Sequence, residues 1–233
     1  MPFFVKYILY YSTFYNLYQI YFTFLRLDGE SSSSYNSFMY ENLYEHITDA
    51  LVNDGYIVID DALNAVVAAA LLQEAKAEQN YKEAGVSTAS AVDKNRRRDK
   101  IYWIDAKSEP TQAYLAFMKG LQEYLNRHLY LGLRYYEAHF ARYEAGDFYE
   151  KHLDAFKNSK NRVVTTVYYL NDVWSEADGG ELVMYDKEGK ELQKVLPQAN
   201  RLVVFLSEDF PHEVLPAKKT RYSIAGWFRI DKI

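Results

Sequence analysis

From residue 133 onward the chain is a succession of short apolar β runs broken at regular intervals by turn signals, and few folds accommodate that texture. The runs cover residues 135–143, 163–170, 181–185, 191–196, 202–206, 212–216 and 221–230. Between them lie Glu144-Ala145-Gly146-Asp147, Asp178-Gly179-Gly180 and Glu188-Gly189, with glycines supplying positive φ in the turns. Regularly spaced short strands with such turns predict a β sandwich or barrel. Helical patterning precedes them. Leu43, Ile47 and Leu51 recur on one face of a helix over 39–53, which Gly55 ends, and a strand follows over 56–59. Asp60-Asp61 is the expected N-cap of a long Ala-rich helix over 62–83, with Gly85 as its stop. A further helix over 109–129 buries Tyr114, Phe117, Met118, Leu121 and Leu125, and His128 sits at its end. Helices first and strands later give an α+β, mainly β class: a double-stranded β-helix (jelly roll) core with supporting N-terminal helices. The expected division is helical support over 39–132 and a jelly-roll core over 133–231.

Residues 1–38 form an aromatic-rich extension of uncertain standing. Residues 1–27 carry Lys6 and Arg26 as their only charges, but Ser12, Thr13, Asn16 and Gln19 interrupt the apolar run. Three readings fit: an interfacial aromatic anchor, a segment packed on the domain, or a true start at Met39 after the linker-like 28–34. The onset of helical patterning favours the third. Membrane contact is expected, if anywhere, only through residues 1–27.

The chemistry gathers on His152-Leu153-Asp154 and on His212. Residues two apart in a strand share a face, so His152 and Asp154 can offer an imidazole and a carboxylate to one point. A second imidazole from His212 completes two histidines and one carboxylate, the facial triad of non-haem Fe(II) oxygenases, which leaves coordination positions open. His-x-Asp alone reads as a surface pair; the set of His152, Asp154, His212 and Arg221 carries the specificity. Arg221 lies nine positions past His212 on the next β run, where its fork could hold the far carboxylate of 2-oxoglutarate. Ser223 and Ala225 share its face and are small, which leaves room for a ligand; Arg229, further along, is expected at the surface. Thr165 alternates onto the same face as Val163, Val167 and Tyr169 and is expected to line the pocket. The chain has no cysteine, so disulfides and thiolate metal sites are excluded. That composition fits a reducing compartment, and a cytoplasmic location is expected. A metal site must then draw on the five histidines and the carboxylates, a donor mix that suits Fe(II) or Mn(II). A net charge of −5 argues against nucleic acid as the default partner.

Residues 136–229 resemble the 2-oxoglutarate/Fe(II) dioxygenases, in the prolyl 4-hydroxylase and Egl-nine-like branch. The segments that carry this are Ala141-Arg142-Tyr143, Tyr149 to Asp154, Arg162 to Asn171 (RVVTTVYYLN), Asp178 to Leu182, Pro211 to Pro216 and Thr220 to Ile224. The resemblance implies Fe(II) held by His152, Asp154 and His212, with 2-oxoglutarate and O2 as co-substrates, and it allows ascorbate as an accessory. A carboxylate at Asp154 points to hydroxylation rather than halogenation. The resemblance implies co-substrate contacts from Arg221 and from the Tyr169 hydroxyl, with Tyr143 near the active site. It implies a prolyl residue of a protein as substrate, with Arg98, Arg162, Trp227 and Tyr149 as candidate contacts. The polar, basic stretch 86–100 resembles a substrate-covering loop with Arg98 to Trp103 as its ordered edge; read alone it is a solvated loop. His139 is expected to be structural, and His46 has no role. Two positions depart from the family pattern: Ala145, where relatives often have Pro, and Ala225, where they often have Thr. Rival readings are the same chemistry on a free amino acid, small metabolite or nucleic acid base, and a non-catalytic jelly-roll binding module.

Overall fold

In the computed structural model, residues 40–85, 93–155 and 161–231 are described, and the unit that carries the site is Glu41–Ile233. The expectations for residues 1–38 and for 86–92 lie outside the described residues. The elements in order are α1 (Glu41–Asn53), β1 (Tyr56–Ile59), α2 (Ala65–Ala77), β2 (Lys82–Glu83), β3 (Lys100–Trp103), α3 (Glu109–Leu129), β4 (Tyr135–Tyr143), β5 (Tyr149–His152) and β6 (Arg162–Tyr169). After a short 3-10 turn at Glu176–Asp178 come β7 (Leu182–Tyr185), β8 (Glu191–Val195), β9 (Leu202–Leu206), β10 (His212–Val214) and β11 (Arg221–Arg229). Among the described residues no helix is long and apolar enough to cross a membrane.

Two antiparallel sheets face each other, as a jelly roll requires. The larger runs β1-β9-β6-β11-β4-β3-β2 and the smaller β5-β10-β7-β8. Period-2 alternation sorts the side chains. From β6, Thr165, Val167 and Tyr169 point between the sheets, and Tyr169 and Val167 join Leu182, Met184, Phe205 and Val214 in the inter-sheet core. The alternate residues face the helices: the Tyr168 ring lies 5.7 Å from Tyr114 of α3. A Ser108 capping box starts α3, and Tyr130 in the left-handed region stops it.

The Ala-rich helix is shorter than its composition suggests, Ala65–Ala77 rather than 62–83, and Asn64, not the Asp pair, caps it by accepting from Val66 N–H. A distant residue decides this. Ala62 N–H donates to the Asn200 carbonyl at 3.0 Å, and the Asn200 side chain bonds both Leu63 N–H (2.9 Å) and Leu63 C=O (2.8 Å). Residues 62–63 are therefore spent on a tie to the sheet, while Asp60 pairs with Arg201. At the other end, residues 82–83 pair with β3 instead of continuing the helix.

Behind the site wall runs a chain of hydroxyls. Tyr136 Oη meets both Tyr114 Oη and Thr166 Oγ1 at 2.8 Å. Gly226 of β11 is what lets Tyr136 in: a Cβ built on it would collide with that hydroxyl. Gly226→Ala is expected to destabilise the fold by about 2–3 kcal/mol through overpacking and loss of these bonds. A lower urea midpoint at unchanged m-value checks it; an unshifted midpoint would show that the ring moves aside freely.

Candidate metal and co-substrate site

Strand register brings the two imidazoles together. His212 heads β10 and pairs directly with His152, the last residue of β5, so their rings lie 4.3 Å apart. Asp154 follows just past the end of β5. Its Oδ1 is 3.7 Å from His152 Nε2 and its Oδ2 is 3.6 Å from His212 Nε2. Among the described residues, these three make the group of His, Asp and Glu side chains able to hold a metal, with their ligand atoms within 4.8 Å of one another. The other ring nitrogens are engaged. His152 Nδ1 donates to the Glu150 carbonyl at 2.7 Å and His212 Nδ1 to the Phe210 carbonyl at 3.0 Å. This fixes the tautomer and leaves both Nε2 lone pairs facing Asp154, as a metal site needs. Thr165 Oγ1 donates to Asp154 Oδ2 at 2.9 Å and is itself braced by Ser207 at 2.8 Å. Burial first, then the neighbouring His212, hold the His152 imidazolium well below the ordinary range, so the ring is neutral at pH 7. For Asp154 burial acts upward, but the adjacent His212, His152 and Arg162 outweigh it and keep the carboxylate ionised.

Arg221 lies in the same cleft, a cavity of about 910 Å³. It is 1 % exposed. Its Nε donates to the Gly180 carbonyl at 3.0 Å and its Nη1 to Ser223 Oγ at 3.2 Å. The rings of Tyr143 and Tyr169 flank the guanidinium, with centroids 4.9 and 5.1 Å away. Among the described residues no carboxylate pairs with it. The Tyr169 hydroxyl is likewise buried without a hydrogen-bond partner. A buried guanidinium without a carboxylate is costly. Beside an orphan phenol it makes a receptor for one carboxylate, with a metal triad in the same cleft. Iron and 2-oxoglutarate fit these residues: three N/O donors for the ion, and a fork and a hydroxyl for the far carboxylate of a dicarboxylic 2-oxo acid.

The expected pocket residues assemble with some corrections. Tyr143, Tyr149, Thr165, Arg162 and Trp227 all line the cleft. Thr165 does so with its hydroxyl committed to Asp154, so it orients a metal ligand rather than reaching for the co-substrate. Arg162 stacks on the Trp227 ring at 3.8 Å. Arg98 does not join them. It is exposed, its Nε donates to the Lys94 carbonyl, and it lies over Phe148. The neighbouring Arg97 lines the cleft instead, because a bridge to Tyr149 pairs this segment with β5 and alternation turns residue 97 inward. Arg97 is held by Asp99 and sits over the Tyr149 ring, which stacks on His152 at 3.6 Å. Arg229 is not at the surface. It is 3 % exposed, lines the cleft and donates to Glu137 at 2.9 Å. The alternation that points Arg221 inward also points 223, 225, 227 and 229 inward. His139 is buried as expected but also lines the cleft, between Trp103 and Trp227, and neither ring nitrogen has a partner. Burial, then Arg97 and Arg162, keep it neutral.

Comparison with known proteins agrees with this geometry. The family model described as the 2OG-Fe(II) oxygenase superfamily matches residues 138–229. Human Egl nine homolog 1 is 32% identical over 197 residues, covering 79% of this chain and 46% of its own. Human prolyl hydroxylase EGLN3 is 32% identical over 201 residues, covering 79% of this chain and 82% of its own. The chain thus spans about half the length of the Egl nine homolog 1 proteins (46–58%). Among solved structures, a Pseudomonas putida prolyl-4-hydroxylase superposes with a TM-score of 0.75 at 38% identity, covering 81% of this chain and 100% of its own. A Trichoplax adhaerens prolyl hydroxylase, in complex with a hypoxia inducible factor oxygen degradation domain peptide fragment, gives 0.73 at 26% identity, covering 86% and 94%. The chain belongs to the 2OG-Fe(II) oxygenase superfamily, in its prolyl hydroxylase branch.

Proposed function

We propose that the protein is an Fe(II)- and 2-oxoglutarate-dependent dioxygenase that hydroxylates a prolyl residue in a protein substrate. The observation that carries this reading is the pairing, in one cleft, of the His152–Asp154–His212 cluster with a buried Arg221 that has no carboxylate among the described residues. Iron and 2-oxoglutarate, when bound, supply the oxidising chemistry: O2 and 2-oxoglutarate are consumed, succinate and CO2 leave, and a substrate C–H becomes C–OH.

The chain's own work is orientation. Both Nε2 atoms and the Asp154 carboxylate hold the metal, and the backbone carbonyls of Glu150 and Phe210 fix the imidazole planes. Arg221 and the Tyr169 hydroxyl take the far carboxylate of 2-oxoglutarate, and Tyr143 walls it. On the substrate side, Trp227, Arg162, Tyr149 and Arg97 edge the open part of the cleft. The buried ring nitrogens of His139 lack partners there, which suits a polypeptide that brings its own carbonyls and amides. The peptide complex of the similar Trichoplax adhaerens enzyme supports a protein substrate.

Anaerobic titration of metal-free protein with Fe(II) and then 2-oxoglutarate tests the reading. A weak visible charge-transfer band of a chelated 2-oxo acid is expected. Folded, iron-loaded protein that develops no band would move the assignment to a non-catalytic binding module.

A further inference from the structure

Arg221 is aimed from behind. Its guanidinium can receive a carboxylate only if its plane is fixed before the ligand arrives, and its Nε bond to the Gly180 carbonyl sets that plane. The direction of that carbonyl depends on the turn containing it. Gly179 and Gly180 both have positive φ, 70° and 76°. Gly180 N–H is held by the Pro216 carbonyl at 3.2 Å. A side-chain restraint on the same turn is an indole: Trp174 Nε1 donates to the Gly179 carbonyl at 2.8 Å. A Cβ built on Gly180 would lie 3.3 Å from both Arg221 Cδ and Trp174 Cζ2. The bare glycine Cα is therefore the spacer between the indole and the arginine stem. Trp174 is 7 % exposed. Lys219 pins it from outside, with its ammonium 4.5 Å from the ring centroid, donating to the Val173 carbonyl at 2.8 Å and pairing with Asp178 at 3.1 Å.

We propose that Trp174 is a positioning residue for co-substrate recognition: acting through Gly179-Gly180, it holds the Arg221 fork in the orientation that receives the distal carboxylate of a dicarboxylic 2-oxo acid. The proposal rests on the assignment of Arg221 to that carboxylate. Trp174 touches neither metal nor ligand, so its loss is felt only by ligands that use Arg221.

Calorimetry on Mn(II)-loaded protein separates the terms, with two probes. 2-Oxoglutarate chelates the metal and reaches Arg221; oxalate chelates the metal and has no distal carboxylate. Trp174→Phe, which removes the indole N–H and shrinks the ring behind Gly180, is expected to weaken 2-oxoglutarate about fivefold to tenfold. Oxalate and Mn(II) affinities stay as in wild type. Lys219→Ala, an exposed change that leaves the core intact, is expected to weaken 2-oxoglutarate in the same selective way by about twofold. Phe117→Leu in α3 serves as the control, lowering the melting temperature without moving either affinity. Equal losses for both probes, or none for 2-oxoglutarate, would overturn the role of Trp174. Arg221→Ala tells the two readings apart. If it leaves 2-oxoglutarate affinity unchanged, the carboxylate assignment itself falls, and this inference with it. If it abolishes selectivity over oxalate while Trp174→Phe leaves that selectivity at its wild-type value, only the inference falls.

Discussion

His212→Ala is expected to lose iron and turnover together while keeping the fold. His212 is 5 % exposed, with its Nε2 aimed at Asp154 and its Nδ1 fixed by the Phe210 carbonyl. Removing it leaves two neighbouring donors, His152 and Asp154, which cannot cover one face of an octahedron. Losing even an outer partner of a metal ligand typically costs 10–100-fold in affinity, so losing a ligand is expected to cost at least about 100-fold. The backbone of β10 continues to pair with β5 and β7 whatever the side chain. The stability loss is then limited to a cavity beside Phe205, whose ring packs 4.9 Å from the imidazole, about 1–3 kcal/mol. Metal content after dialysis, far-UV circular dichroism and succinate release check the three parts. A folded variant that keeps one iron per chain and full turnover would remove His212 from the ligand set.

The residues readable from sequence and those that were not differ in how far away their determinants lie. The strands of the core match expectation within a residue or two, because apolar alternation and turn glycines are local properties. Helix α3 matches as 109–129 because its capping serine and its buried stripe are also local. The metal triad was readable because His152-x-Asp154 spans only two residues and His212 begins its own short strand. By contrast, α2 is shorter than its composition predicts because Asn200, more than a hundred residues on, claims residues 62–63. β5 gives no strand signal in the sequence because it shows no apolar alternation: Tyr-Glu-Lys-His has the burial pattern intermediate, exposed, exposed, intermediate, and Asp154 lies beyond its end. Arg97, and not the expected Arg98, faces the cleft because the inward side depends on a bridge to Tyr149, a register that residues 94–100 do not encode alone. Arg229 is different, since the alternation running from Arg221 already predicts an inward face. The general preference of arginine for solvent runs against that pattern, and Glu137, which satisfies the buried guanidinium, lies on the neighbouring strand. Trp174 carries no signal at all, because its bond to Gly179 arises only when the 173–180 turn closes.

Arg221→Ala is expected to raise the 2-oxoglutarate requirement by about 100-fold or more while leaving iron binding as it was. A charge-assisted hydrogen bond contributes about 1.5–3 kcal/mol, and a forked guanidinium–carboxylate contact makes two. The loss falls on binding of the co-substrate, so KM for 2-oxoglutarate rises far more than kcat falls at saturation. Arg221→Lys keeps the charge but loses both the fork and the Nε bond to Gly180, and is expected to lie between the alanine variant and wild type. Stability reports the same event independently. Ligand at free concentration L that binds only the folded state stabilises it by RT ln(1 + L/Kd) and so raises its melting temperature. Millimolar 2-oxoglutarate is therefore expected to stabilise iron- or manganese-loaded wild type by several degrees and Arg221→Ala by much less. Oxalate, which has no distal carboxylate, should stabilise both equally. An alanine variant with wild-type co-substrate affinity and wild-type thermal shift would mean that the orphan guanidinium serves another anion. The buried Tyr169 hydroxyl argues against that outcome: its ring flanks the same guanidinium, and a carboxylate received by Arg221 would satisfy this hydroxyl as well.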